Sequence, residues 1–115
     1  MSQSFFESKI FPIKVKGKVI ILNRDSIESI SADGDYAEIK TKDKKYVIRE
    51  SLNKINRDIS QHGFIRIHRS TIVNILSISE LIFSNYGEID VKLKNGDTYR
   101  VGRSYKENLK TKLNI

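Results

Sequence analysis

Apolar and polar residues alternate along most of this chain with a period of two, the spacing of extended strands that bury one face. Residues 13–16 and 19–22 are two such runs, and Gly17-Lys18 between them predicts an opening hairpin with a short turn. Residues 27–31 continue the pattern. Asp33-Gly34 is a turn dipeptide leading into residues 36–40, where Ala37 and Ile39 alternate with polar neighbours as in a half-buried antiparallel strand. Residues 42–45 then turn the chain into a further strand over 46–49. The period changes next, because Leu52, Ile55 and Ile59 fall at i, i+3 and i+7, with Ser51 placed to cap a helix and Gly63 placed to end it. Strand spacing resumes at 64–67, 71–75, 78–83 and 89–94. Asn95-Gly96, the strongest hairpin signal in the chain, joins the last of these to residues 98–101. Ser104-x-x-Glu107 reads as a capping box that opens a second helix, with Tyr105, Leu109 and Leu113 on one side. The predicted fold is mainly β, built of antiparallel sheets with two short helices.

One stretch breaks the pattern informatively. In Phe64-Ile65-Arg66-Ile67-His68-Arg69-Ser70-Thr71-Ile72-Val73-Asn74, basic, hydroxyl and imidazole groups interrupt an apolar run. Extended, it would turn Ile65 and Ile67 to one face and offer Arg66, His68 and Ser70 from the other as donors to phosphate or base edges. Residues 98–106 repeat the theme where a strand meets a helix. Charge supports the same partner: 21 Lys and Arg against 14 Asp and Glu give +7, which favours a dense polyanion. Nine basic and five acidic residues put +4 of this excess in residues 61–115.

At 115 residues the chain suits one domain with one core. We expect residues 1–9 to be a flexible tail and residues 10–115 to be the folded domain. No cysteine is present, which removes disulfides, thiolate nucleophiles and cysteine-based metal sites, and fits a reducing cytoplasm. With His62 and His68 as the only histidines, no metal or other cofactor is expected. The longest aliphatic run, residues 19–22, falls far below the ~20 residues of a membrane helix, so no membrane partner is expected. Nucleophile-elbow, phosphate-loop, zinc-protease and dinucleotide motifs are all missing, so the chain does not read as an enzyme. Asp33, Asp35 and Glu38 read first as turn chemistry.

Among single residues, Arg69 and Arg103 stand out, because a guanidinium fork can hold guanine O6 and N7, or a phosphate, through two hydrogen bonds. His68 suits either a phosphate contact or a structural role with its ring nitrogens satisfied locally. Ser104 would cap its helix while the same helix start faces a phosphate, with Lys106 in support. Tyr36, Tyr99 and Tyr105 are spaced for packing rather than for stacking on single-stranded bases. Neither predicted helix carries a row of base-reading residues, so strands and loops are the expected readers.

Phe64-x-Arg66-x-His68-Arg69-Ser70-x-x-Val73-Asn74, preceded by Gly34-Asp35-Tyr36 and Ser51-Leu52 and followed by Asn95-Gly96 and Arg103-Ser104-Tyr105, resembles the LytTR DNA-binding domain over about residues 11–113. The resemblance implies a bacterial, response-regulator-like transcription regulator whose elongated set of antiparallel sheets inserts loops into successive major grooves of double-stranded promoter DNA, at paired direct repeats. It implies that base-reading positions fall at Asp35, Arg69 and Arg103; from the residues themselves, His68, Ser70, Ser104 and Lys106 are expected to place the phosphates. A carboxylate at 35 would accept from cytosine N4 or act through water. Two positions depart from the family pattern: Gly102 stands where a serine is common, and Thr71 where an aromatic is common. Many family members also carry an N-terminal receiver domain, whereas these 115 residues accommodate the recognition domain alone. The expected partners are DNA, a second copy on an adjacent repeat and a regulatory protein. A competing reading makes the basic surface a docking site for an acidic protein or a related regulator.

Overall fold

The computed structural model describes residues 9–115, and among these the alternating runs form ten strands. They are β1 (Ile10–Val15), β2 (Lys18–Asn23), β3 (Ile27–Asp33), β4 (Tyr36–Thr41), β5 (Lys45–Ile48), β6 (Phe64–His68), β7 (Thr71–Asn74), β8 (Ile78–Phe83), β9 (Ile89–Leu93) and β10 (Thr98–Arg100). Helix α1 (Leu52–Ile59) separates β5 from β6, and α2 (Lys106–Leu113) follows β10. The expected tail lies outside the described residues apart from Lys9, whose carbonyl accepts the Arg24 N–H at 2.9 Å. No helix among the described residues is long and apolar enough to cross a membrane.

All strand pairs are antiparallel, in three sheets: β1-β2, β5-β4-β3-β7-β6 and β10-β9-β8. The turn of the first hairpin is Lys16-Gly17, one residue earlier than its composition suggested. Val15 pairs with Lys18, and both turn residues have positive φ (49° and 80°), the backbone that matches the twist of a two-residue hairpin. Sequence spacing could not show that β3 lies beside β7, which puts residues some forty positions apart in register, Ser31 opposite Thr71.

Consecutive residues of a strand face opposite ways, and the central sheet buries both faces. Ile30, Ile39, Phe64 and Ile72 meet Leu52, Ile55 and Ile59 of α1 and Phe11, Ile13 and Leu22 of the β1-β2 ribbon. Their neighbours Ile65, Ile67 and Val73 meet Ile89, Val91 and Leu93 of the third sheet together with Val101 and Leu109. Each fully buried Ile or Leu contributes about 1.5–3 kcal/mol relative to exposure, so β6 and β7 are pinned from both sides. The whole is elongated, 48 × 34 × 24 Å.

Helix starts divide into one expected and one unexpected. Ser51 caps α1 by accepting the Lys54 N–H at 3.1 Å. The helix stops at Ile59, and Gly63 instead ends the turn into β6. The capping box expected at Ser104 does not form. Residues Arg103–Tyr105 make a 3₁₀ turn, closed by Tyr105 N–H donating to the Gly102 carbonyl at 2.9 Å, and α2 begins after it without a side-chain cap. Ser104 lies inside that turn, so its backbone is helical and not the extended backbone of a cap, while the Gly102 N–H, bound to the Ile67 carbonyl at 2.8 Å, fixes where the chain leaves the sheet.

Candidate nucleic-acid interface

Three chain reversals meet at one end of this frame. The β3-β4 turn holds Gly34 and Asp35, and the β6-β7 turn holds Arg69 and Ser70. The third is residues 102–105, between β10 and α2. The Ala32 N–H donates to the Ser70 carbonyl at 2.9 Å, which joins the first turn to the second. The bond from Gly102 to Ile67 joins the second to the third. Buried Ala37, Ile67 and Val101 lie just behind the three, so exposed tips stand on packed supports.

Arg69 and Arg103 are exposed, and among the described residues neither guanidinium has a hydrogen-bond or ion-pair partner. Asp35 is exposed as well, its carboxylate 4.0 Å from Arg49. Ser104 is exposed. Lys106 is half-buried and donates through Nζ to the Gly87 carbonyl at 2.7 Å, which leaves two of its three N–H groups for another acceptor. Arg100 belongs to the same basic segment but is held by Asp90 at 2.5 Å and Glu88 at 3.0 Å. These carboxylates, Asp90 first, raise its pKa further, so its charge is compensated within the protein.

His68 organises the middle turn. The Ser70 N–H donates to His68 Nδ1 at 3.2 Å, and Ser70 Oγ lies 2.9 Å from the same nitrogen. An N–H can only donate, so Nδ1 accepts in this turn and Nε2 is left to carry the ring N–H. The ring also packs toward Gly102, where an added Cβ would come within 3.4 Å of His68 Cδ2 and 3.1 Å of Tyr105 Cδ2. The Gly102 backbone is ordinary and extended, with φ −69° and ψ 149°, so this glycine answers to close approach rather than to an unusual dihedral.

Arg66 departs from its expected place among the outward donors. Its guanidinium turns back along the strand, with Nε donating to the His68 carbonyl at 3.3 Å, Nη2 to the Arg69 carbonyl and Nη1 to Asn53 Oδ1 at 2.5 Å. A register shift between Arg66 and His68 accompanies this arrangement. Beside it a groove of about 550 Å³ is lined by Asp35, Tyr36, Arg49, Asn53, Arg66 and Arg69, among others. Arg49 and Asn53 carried no local sequence signal, because the end of β5 and the start of α1 bring them beside the turn only in the folded chain. Tyr36 is 46% exposed rather than packed as its spacing suggested. Tyr99 and Tyr105 do pack against the second core, and the Tyr99 hydroxyl lies 3.1 Å from Ser29 Oγ.

The family model of the LytTr DNA-binding domain matches residues 17–114. The transcriptional regulatory protein LytR of Staphylococcus aureus (strain NCTC 8325) is 33% identical over 116 residues, covering 100% of this chain and 46% of that protein. The sensory transduction protein LytR of Staphylococcus haemolyticus is 27% identical over 110 residues, covering 95% of this chain and 43% of that protein. The chain thus spans less than half the length of these relatives. A solved LytTr DNA-binding domain from Bacillus cereus superimposes with a TM-score of 0.81 at 20% identity, over 93% of this chain and 98% of that one, a likeness of fold. Ten antiparallel strands, three adjoining turns at one end and a match over nearly the whole described chain agree on one assignment: the chain belongs to the LytTr DNA-binding domain family.

Proposed function

We propose that this chain is a sequence-specific double-stranded DNA-binding module that regulates transcription from the cytoplasm. The observation that carries the reading is the pair of exposed guanidiniums without protein partners, Arg69 and Arg103, on adjoining turns of a rigid frame. Each can offer a bidentate fork to a guanine edge in the major groove, and Asp35 can accept from cytosine N4. The proximity of Arg49 lowers the repulsion that a carboxylate meets among phosphates. His68 through Nε2–H, Ser70, Ser104 and Lys106 place the backbone and carry no sequence information themselves. Two copies side by side on direct repeats would share a promoter site. Self-repulsion of a +7 chain favours pairing on DNA rather than in free solution.

The test is selection of binding sites from random duplex DNA at near-physiological salt, where sequence preference separates from the attraction of any basic protein for phosphate. One motif enriched at a fixed repeat spacing is the expected outcome. Folded protein that enriches nothing, yet binds an acidic protein tightly, would replace this reading with that of a protein-docking module.

A further inference from the structure

We infer that Arg66 is a positioning residue, a clamp that sets the β6-β7 recognition turn against the start of α1 and so aims Arg69. The inference rests on the DNA-reading role proposed for Arg69. A guanidinium has five N–H donors in a rigid plane, and Arg66 directs donors from all three of its nitrogens inward. Two nitrogens serve successive carbonyls, those of His68 and Arg69, and these flank the Cα of Arg69. The third nitrogen holds Asn53 on the first turn of α1. Meanwhile the opposite flank of the turn is fixed by His68 Nδ1 taking the Ser70 N–H and by the Ser70 carbonyl taking the Ala32 N–H. The backbone of Arg69 is therefore held on both sides while its own guanidinium makes no hydrogen bond or ion pair among the described residues. That division of labour suits a reader: a fixed base with a free, exposed fork.

Arg66 cannot be replaced by lysine in this role. An ammonium on a flexible stem can reach one of the three acceptors, but it lacks the planar spread that spans them. Asn53 offers a lever that leaves every basic charge in place. Asn53→Ala removes the anchor on α1, whereas Asn53→Asp keeps an acceptor of the same length and strengthens it.

Three readouts test the inference on the whole chain. In the free protein, backbone order parameters of residues 68–70 should fall in Asn53→Ala and Arg66→Lys and recover in Asn53→Asp. On DNA, the ratio of affinity for a selected site to affinity for random duplex should fall about tenfold in Asn53→Ala and Arg66→Lys. It should return to within about twofold of wild type in Asn53→Asp, the dependence of affinity on salt concentration staying unchanged in Asn53→Ala. Order parameters unchanged in both Asn53→Ala and Arg66→Lys, or a loss of specific and random binding in equal measure with a shallower salt slope in Arg66→Gln, would overturn the clamp and make Arg66 a phosphate contact. A wild-type protein without site preference would instead contradict the DNA-reading role of Arg69, while the order parameters would still decide whether the clamp exists.

Discussion

Arg103→Ala, set beside Arg100→Ala, isolates what geometry adds to charge. The two arginines lie three residues apart and each substitution removes one positive charge. Arg103 has no partner to release among the described residues, so its removal costs the folded protein little. Arg100 is held by Asp90 at 2.5 Å and Glu88 at 3.0 Å, on a side chain still 54% exposed, so its loss leaves two uncompensated carboxylates. If Arg103 holds a guanine edge, Arg103→Ala should cost about 1–3 kcal/mol on the preferred site, about 5- to 140-fold in affinity. It should also relax the preference at one base pair. Arg100→Ala should weaken preferred and random duplexes by the same small factor, because bare carboxylates repel phosphate whatever the sequence. Fluorescence anisotropy with the preferred duplex, its single-base variants and a random duplex, repeated from about 50 to 200 mM salt, measures all of this. Equal loss on every duplex for Arg103→Ala, with the salt slope reduced by about 0.9, would make it a phosphate contact and refute base readout.

Three further outcomes follow from the same geometry. Ser51→Ala should lower stability by about 1 kcal/mol in urea titration, since Ser51 caps α1, while Ser104→Ala should change it by less than about 0.5 kcal/mol, since Ser104 caps nothing, and should weaken binding to all duplexes alike. Asn74→Ala should cost about 1–3 kcal/mol, because this buried amide donates to the Ile27 carbonyl at 2.9 Å and accepts the Leu76 N–H at 3.0 Å. The Lys40–Asp97 pair at 2.6 Å ties the central sheet to the β9-β10 hairpin; with both side chains 31% exposed, a double-mutant cycle should give about 0.2–1 kcal/mol of coupling. The hydrogen bond to Asp97 raises the Lys40 pKa above 10.5, so this coupling should be complete at neutral pH and fade only as pH rises through that raised value.

Local chemistry was the legible part of this fold. Gly34 and Gly96 mark their turns because both take positive φ (62° and 97°), although the β3-β4 turn is Gly34-Asp35, one residue later than Asp33-Gly34 suggested, and Leu52, Ile55 and Ile59 mark α1 because a buried stripe admits little else. Long-range contacts were not legible. Phe64 and Ile65 look like one apolar run, yet they enter different cores, because β6 is buried on both faces by elements distant in sequence. The same blindness made Arg66 look like an outward donor, since its role depends on Asn53, thirteen positions away across a helix. At Ser104 the local template was present, but the residue falls inside the 3₁₀ turn that follows Gly102, where its backbone is helical rather than the extended backbone of a cap. Arg69, Arg103 and Asp35 could be singled out by residue type and motif, but that their turns adjoin is a property of the fold.

Three turns at one end of the sheets are the proposed reading surface. Amide chemical shifts of the chain, followed as a selected duplex is titrated in, test it most directly. The large changes should fall on residues 33–36, 67–71 and 101–106, with the exposed apolar residues Val19, Ile21, Ile82 and Phe83 unmoved. Changes centred on those apolar residues, with the three turns silent, would contradict it.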